Sequence, residues 1–182
     1  MIFIKSLTCH ADTVSTAVRT VHVKVELQPQ VALHLSYELT GDLVQIRIPE
    51  PQPPCAVDGL WEHTCFEVFV AVEGKESYHE FNFSPSGQWA AYAFSDYRVP
   101  NAWTVSQAPV IRFAQSNGHL LLEAVVAAAD LPQNIIGKPL QLGLTAVIEA
   151  NDGSRSYWAL HHPESRPDFH HRAGFILTFN PA

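Results

Sequence analysis

The sequence predicts an all-β fold, an antiparallel sandwich or barrel of about eleven short strands. Apolar and polar residues alternate with a period of two, so each strand has one face in a core. Turn signals recur at the spacing of about 8–12 residues that is typical of such folds. Only "AAADLPQN" (127–134) indicates a short helix, in which Asp130 caps a turn before Leu131 and Pro132.

The first predicted strands alternate regularly. In "VHVKVEL", residues Val21, Val23, Val25 and Leu27 share one face, and "VALHLSYEL" (31–39) repeats the pattern. A turn at 40–42 leads into a third alternating stretch, "LVQIRI" (43–48). The proline-rich "PEPQPPCAVDG" (49–59) then predicts a rim loop or a connection between layers, since proline cannot donate to a sheet.

The next strand, "TCFEVFVAV" (64–72), places four apolar side chains on its inner face. These side chains are Phe66, Val68, Val70 and Val72. Glu67 lies on the opposite face, where we expect solvent unless a cleft covers the sheet. The other predicted strands are 77–83, 88–94, 110–115, 119–126, 140–150, 154–160 and 174–179.

Length and composition indicate one domain, spanning residues 1–182. The net charge is −7 and basic residues form no run, so we expect no nucleic-acid partner. No apolar stretch suits a membrane span, and the N-terminus lacks the features of a signal peptide. The cysteines Cys9, Cys55 and Cys65 are irregularly spaced and odd in number, which favours a reducing compartment; we expect the cytoplasm.

Two stretches combine aromatic and polar residues. Tyr78, Glu80 and Asn82 share one strand face, and "WEH" at 61–63 lies where a loop meets a strand. Aromatic rings beside amide and carboxylate groups suit a neutral polar ligand. Ordinary cross-strand pairing, with Trp61 closing one end of the sandwich, is the alternative interpretation.

The segment "HHPESRPDFHH" (161–171) contains four of the ten histidines and is named here the histidine loop. Adjacent residues of an extended chain point to opposite sides, so each histidine pair offers one metal ligand at most. One histidine from each pair together with Asp168 makes a three-ligand metal set conceivable. A rigid loop, in which an arginine pairs with Asp168 or Glu164, is the alternative. Met1 is the only methionine, which excludes a Met/His haem site but not a bis-histidine one.

Two blocks of the sequence resemble proteins of the DOMON-like superfamily, which includes the family 9 carbohydrate-binding modules. They are "LWEHTCFEVFVAVEGKESYHEFNFSPSGQWAAY" (60–92) and "YWALHHPESRPDFHHRAGF" (157–175). The resemblance implies a jelly-roll or immunoglobulin-like β-sandwich of about 10–12 strands. It also implies binding of sugars or haem, generally without catalysis.

In the sugar-binding branch, two tryptophans hold a terminal sugar between them. By resemblance, Trp61 matches the first tryptophan and Trp158 is the best match for the second. Glu67 and Asn82 match polar strand positions, and Arg98 is the candidate guanidinium.

The neighbouring residues complete the predicted site. The histidine loop follows the strand of Trp158, so we expect it to form one wall of the same pocket. The remaining predicted ligand-binding residues are Glu62, His63, Glu80, His161, His162, Asp168, His170 and His171.

The sequence therefore predicts a non-catalytic protein that binds a carbohydrate or similar polar small molecule and needs no cofactor. The alternatives are a haem carrier, a metal-dependent enzyme using His161–His171, and a docking surface for another protein. A pair of carboxylates for glycoside hydrolysis also stays open, because the sequence does not give their separation. The oligomeric state is open as well.

Overall fold

The computed structural model describes residues 1–28, 31–132 and 138–180, which form a β-sandwich of twelve antiparallel strands. The strands are β1 (Ile2–Cys9), β2 (Val18–Gln28), β3 (Ala32–Gly41), β4 (Cys65–Val72), β5 (Tyr78–Phe83), β6 (Trp89–Asp96), β7 (Val99–Asn101), β8 (Val110–Ser116), β9 (His119–Ala127), β10 (Leu140–Glu149), β11 (Arg155–Ala159) and β12 (Leu177–Phe179). The helical segments of these residues are single 3-10 turns at Ala11–Thr13, Leu43–Gln45, Leu60–Glu62, Ala128–Asp130 and Arg172–Gly174.

The strands form two layers. The front sheet has the order β7-β6-β5-β4-β10-β11, with β12 also pairing with β10, and the back sheet has the order β1-β2-β3-β9-β8. Strand β1 joins the layers, because its first part pairs with β2 while Thr8 and Cys9 pair with β11.

The core lies between the sheets and follows the alternation in the sequence. Phe66, Val68 and Val70 of β4 are fully buried against apolar side chains of β2, β3, β9 and β10. Burying a large apolar side chain stabilises the folded state by about 1.5–3 kcal/mol, and this is the main stabilising contribution to such a core. Tyr37 enters this core from the back sheet, and its hydroxyl donates to the backbone oxygen of Glu67 over 2.6 Å.

One predicted strand is wrong. The stretch 43–48 begins as the 3-10 turn Leu43–Gln45, and Ile46 makes only an isolated bridge with Ala150. Its alternation still reflects burial, because Ile46 is buried in the core. The backbone around it bonds to the end of β10 but does not form a continuous ladder with it: Arg47 N donates to Glu149 O over 2.8 Å.

Two strands were not predicted. In β1 only Leu7 is buried, while Ile2 and Ile4 are exposed, so its apolar pattern gives no clear core face. Strand β7 is a fully exposed three-residue edge strand that contains a proline.

The short predicted helix is confirmed only as the turn Ala128–Asp130. Residues 133 and 134 of that prediction lie outside the described residues. The carboxylate of Asp130 accepts hydrogen bonds from the backbone of Ser106 and Gln107, so it anchors the segment before β8.

Two further observations concern the sequence-based expectations on membranes and thiols. No helix within the described residues is long and apolar enough to cross a membrane. Cys9, Cys55 and Cys65 are free thiols.

Candidate functional site

The outer face of the front sheet forms the floor of a cleft of about 720 Å³. Because successive side chains of a strand point to opposite faces of the sheet, this face carries the residues whose side chains point away from the core. The floor residues are Glu67 and Phe69 of β4, Glu80 of β5, Tyr92 and Phe94 of β6, Val147 of β10, and Arg155 and Tyr157 of β11.

Three segments form the walls of the cleft. One is the 3-10 turn that carries Trp61 and Glu62, which Gly59 precedes in the left-handed conformation (φ 80°). The second is the tight turn between β6 and β7, where Arg98 also has a positive φ of 54°. The third is the histidine loop, which contributes Pro167, Phe169 and His170.

Two carboxyl groups lie at the bottom of the cleft. Glu67 is 2% exposed and Glu80 is 5% exposed, on neighbouring strands of the same sheet. Glu67 lies directly opposite Asn82, whose Nδ2 donates to Glu80 Oε1 over 2.9 Å. Thr145 of β10 donates to Glu67 Oε2 over 3.1 Å. The two carboxyl groups therefore belong to one cluster of buried polar side chains on neighbouring strands.

Within the described residues, two oxygens of this polar cluster have no hydrogen-bond partner: Glu67 Oε1 and Asn82 Oδ1. Both are buried acceptors if Glu67 is ionised, and an unsatisfied buried polar group costs about 1–3 kcal/mol. A protonated Glu67 has a hydroxyl to donate, and Asn82 is its cross-strand neighbour. The arrangement therefore favours a neutral Glu67.

Electrostatics favour the same protonation state. Burial, with the nearby charge of Glu80, raises the pKa of Glu67 well above its ordinary value, against the opposing hydrogen bond from Thr145. Burial also raises the pKa of Glu80 to about 7, although Asn82 and Arg98 act in the opposite direction. At neutral pH these two carboxyl groups together therefore carry about one negative charge or less.

His170 projects from the histidine loop over these carboxyl groups. Its Nδ1 lies 2.8 Å from the Tyr78 hydroxyl, and its Nε2 lies 3.7 Å from Glu80 Oε2. The Tyr78 oxygen accepts from Arg98 N over 3.2 Å, so its own proton is free for His170 Nδ1. Burial and the positive charge of Arg98 lower the pKa of His170 to about 4, despite Asp168. The imidazole is neutral at pH 7.

A charged network closes one side of the cleft. Arg98 Nη2 donates to Asp168 Oδ1 over 2.9 Å, and the Tyr97 hydroxyl donates to Asp168 Oδ2 over 2.6 Å. Burial alone would raise the pKa of Asp168, but the hydrogen bonds from Tyr97 and Arg98 outweigh it and lower that pKa. Asp168 also accepts from the backbone N of His170 over 3.1 Å, which orients the histidine.

The segment that directly follows the histidine loop is fixed to the sheet by aromatic packing. Phe175 lies over Gly143 of β10, where a Cβ atom would approach the Phe175 ring to 2.8 Å. The guanidinium carbon of Arg172 lies 4.6 Å from the centroid of the same ring, and Arg172 Nη2 donates to Gln141 Oε1 over 3.0 Å. The glycine therefore provides the space that lets the loop lie on the sheet.

Aromatic rings supply the apolar surface of the cleft. Trp61 is 43% exposed and meets Tyr92 edge to face, with ring centroids 5.8 Å apart. Across the cleft, the rings of Tyr157 and Phe169 pack edge to face, with 5.8 Å between their centroids. Exposed rings beside buried polar groups are the usual composition of a pocket for a polar organic ligand.

The structure brings together about half of the predicted site residues. Those that line the cleft are Trp61, Glu62, Glu67, Glu80, Arg98 and His170. Asn82 and Asp168 lie behind this lining and hold Glu80 and Arg98 in position. Glu67 does not face open solvent, because its side chain lies at the bottom of the cleft and is 2% exposed.

The predicted role of Trp158 is not compatible with its position. It is 6% exposed in the core between the sheets, and its Nε1 donates to Ser156 Oγ over 3.0 Å. The strand alternates, so Tyr157 and Arg155 face the cleft while Trp158 and Ser156 face inward. Trp61 and Trp158 therefore do not share a pocket.

Four predicted histidines also lie away from the cleft lining. His63 Nδ1 is 2.8 Å from Glu149 Oε2, and His162 Nε2 is 2.9 Å from the backbone oxygen of Thr8. His171 accepts from Ala173 N and so caps the turn Arg172–Gly174. His161 is exposed. As expected for adjacent residues, only one member of the pair 170–171 enters the cleft.

Some cleft residues were missed in the sequence. They are Phe69, Phe94, Arg155, Tyr157, Val147, Pro167 and Phe169. Strand alternation could have identified Phe69 from Glu67, and Tyr157 from the burial of Trp158. No local signal identifies Phe169, because the fold of the loop decides its direction.

The described residues contain no group of three His, Cys, Asp or Glu side chains placed to hold a metal ion. The histidines of the loop diverge toward Thr8, Tyr78 and Glu164 instead of converging. The alternative of a metal-dependent enzyme therefore lacks a ligand set in this part of the chain.

Comparison with solved structures gives matches to this fold. A candidate carbohydrate-binding protein from Bacteroides uniformis matches with a TM-score of 0.69 and 18% identity, over 96% of this chain and 84% of that chain. A family 9 carbohydrate-binding module from Caldicellulosiruptor kristjanssonii in complex with cellotriose matches with a TM-score of 0.58 and 10% identity, over 87% of this chain and 72% of that chain. A family 9 module from the same organism in complex with glucose matches with a TM-score of 0.52 and 12% identity, over 81% of this chain and 69% of that chain.

The sequence itself matches no protein-family model and no curated protein. At identities of 10–18%, the structural matches establish a shared β-sandwich architecture. The chain thus shares the β-sandwich fold of these three solved structures and has a cleft on the outer face of its front sheet.

Proposed function

We propose that this protein is a non-catalytic carbohydrate-binding protein of the DOMON-like superfamily and that its ligand occupies the cleft of the front sheet. The observation that carries the proposal is the combination of buried polar groups on the floor with aromatic rings on the walls. Glu80 lies on the floor, while Trp61 and Phe169 offer ring surface on two walls.

This composition matches the chemistry of a sugar. A sugar ring has C–H surfaces that pack on aromatic rings and hydroxyl groups that need hydrogen-bond partners. Glu80, Arg98 and neutral His170 provide acceptors and donors within a volume of about 720 Å³. Ligand pockets of about 300–1,000 Å³ hold molecules from a monosaccharide upward.

The structural neighbours support the same proposal. Two of them are described as complexes with cellotriose and with glucose, and a third as a candidate carbohydrate-binding protein. The sequence blocks 60–92 and 157–175, which resemble the DOMON-like proteins, contain most of the cleft lining. The coincidence of these blocks with the cleft supports a ligand site at this position.

The test is titration calorimetry of the purified chain with glucose and with cellotriose. We expect saturable binding that weakens at least about tenfold in Trp61→Ala, since loss of an aromatic contact and its buried area costs about 1.4 kcal/mol or more. Trp89→Ala is the matched control, because Trp89 lies on β6 outside the cleft lining. Equal effects of the two variants would contradict this site, and no binding of either sugar would contradict the proposed function.

A further inference from the structure

The Glu80 carboxyl group faces the cleft without a fixed cationic partner among the described residues. Its Oε1 accepts from Asn82 Nδ2, a neutral amide, over 2.9 Å. Its Oε2 faces His170 Nε2 at 3.7 Å, beyond hydrogen-bond distance. A carboxylate that is only 5% exposed normally pairs with a cation or gives up its charge.

The neighbouring histidine does not supply that cation. Phe69 and Phe94 pack against the imidazole of His170 with ring centroids 5.3 and 5.1 Å away. The Tyr78 hydroxyl occupies its Nδ1 side. This apolar enclosure, with Arg98 nearby, keeps the imidazole uncharged at neutral pH.

Neither arginine of the cleft forms a hydrogen bond with Glu80 within the described residues, although the charge of Arg98 lowers the pKa of Glu80 from a distance. The guanidinium of Arg98 is engaged by Asp168 at 2.9 Å and by Tyr97 at 3.3 Å. Arg155 lies on an exposed strand end, where solvent screens its charge. The buried part of the cleft therefore has an acidic group that no cation of the described residues contacts at hydrogen-bond distance.

The walls around this group favour a cation as well. Aromatic rings attract cations through their negative faces, an interaction of about 0.5–2 kcal/mol that grows as water is excluded. Trp61, Tyr92, Phe94 and Phe169 line the same cleft as Glu80. A ligand ammonium group that reaches the floor would meet a carboxylate below and rings on its sides.

We propose that the natural ligand carries a protonated amino group, as an amino sugar does, and that this ammonium group pairs with Glu80. The inference rests on the proposed carbohydrate function and specifies the class of sugar. A neutral sugar fills the same cleft but leaves the carboxylate without a counter-charge. A uronic acid places a second negative charge next to it, which is unfavourable.

The experiment compares matched sugars by titration calorimetry at pH 7. The probes are glucose, glucosamine, N-acetylglucosamine and glucuronate, with cellotriose and the β-1,4-linked trisaccharide of glucosamine as longer counterparts. We expect the amino sugars to bind at least about tenfold more tightly than their neutral counterparts, as a charge-assisted hydrogen bond permits.

The variant Glu80→Gln isolates the charge, because glutamine keeps the acceptor oxygen for Asn82. We expect it to abolish the preference for amino sugars, so that glucosamine and glucose bind the variant with affinities within about threefold of each other. Glu73→Gln is the charge-matched control, since Glu73 is exposed on the turn after β4 and lies outside the cleft lining. This control should retain the full preference.

The outcomes separate the two proposals. A preference for amino sugars that is lost only in Glu80→Gln supports the inference. Equal or tighter binding of glucose, N-acetylglucosamine or glucuronate, or a preference that survives in Glu80→Gln, overturns it and leaves the carbohydrate function standing. Failure of all six probes to bind overturns both.

Discussion

Arg98 and Asp168 form an ion pair across the edge of the cleft, with 2.9 Å between Nη2 and Oδ1. The pair connects the β6–β7 turn to the histidine loop, two segments that are 70 residues apart in the chain. Asp168 is the more buried partner and also receives the Tyr97 hydroxyl and the backbone N of His170. One carboxylate therefore joins the β6–β7 turn to the histidine loop at this edge of the cleft.

We expect Asp168→Asn to loosen this wall. The variant loses the charge that holds Arg98, and for a partly exposed pair the cost in unfolding free energy is about 1 kcal/mol. Hydrogen exchange of residues 161–171 should become faster than in the wild type. A double-mutant cycle with Arg98→Lys measures the coupling, and additive effects of the two substitutions would contradict the role given to the pair.

Gly143→Ala should destabilise the fold through Phe175. The added Cβ would lie 2.8 Å from Phe175 Cδ1, so the ring and the segment after the histidine loop that carries it must move. Overpacking of this kind costs about 1–3 kcal/mol in chemical denaturation. The double variant with Phe175→Leu should recover part of that loss. Gly153→Ala is unsuitable as a control because that glycine has a positive φ of 85°.

Trp158 and Trp61 should respond differently to substitution. Trp158→Ala removes a core side chain and should reduce the unfolding free energy by about 3–5 kcal/mol, because a cavity remains between the sheets. Trp61→Ala should change stability by less than about 1 kcal/mol, since the ring is 43% exposed. Thermal denaturation of both variants checks this contrast. Similar losses of stability in both variants would show that Trp61 is also a core residue.

The pH dependence of stability should reveal opposite contributions from Glu80 and His170. The pKa of Glu80 is raised from 4.5 to about 7, so the folded state holds its proton longer and stability falls between about pH 4.5 and 7. The pKa of His170 is lowered from 6.5 to about 4, so stability falls as the pH decreases through that range. In the wild type the two contributions partly cancel between pH 4.5 and 6.5.

Single substitutions separate these contributions. Relative to wild type, Glu80→Gln should gain stability as the pH rises from 4.5 to 7, and His170→Gln should lose stability as the pH rises from 4 to 6.5. The limiting slope for one proton is about 1.4 kcal/mol per pH unit. Urea denaturation across this pH range measures both differences. Curves that run parallel to the wild type would show that neither pKa is shifted.

The fold class and most strands could be predicted from the sequence because burial imposes a period of two. Phe66, Val68 and Val70 alternate with Glu67 and Phe69 in the sequence, and only the first three lie in the core between the sheets. Where burial is one-sided and weak, as in β1, the same rule gave no prediction. The stretch 43–48 shows the opposite failure, because apolar spacing alone does not distinguish a strand from a turn that buries Ile46.

The sequence by itself determined which residue types were available for a site: Glu67, Glu80 and Asn82 on one side of paired strands, and Trp61 and the histidine loop beside them. Only the tertiary structure decided which of them meet. Trp158 faces the core while Tyr157 faces the cleft, because the register of β11 against β10 sets the sides of the strand. His170 enters the cleft while His171 caps a turn, because Asp168 and Phe175 fix the path of the loop. These contacts join residues that are distant in sequence, and local patterns carry no information about such distances.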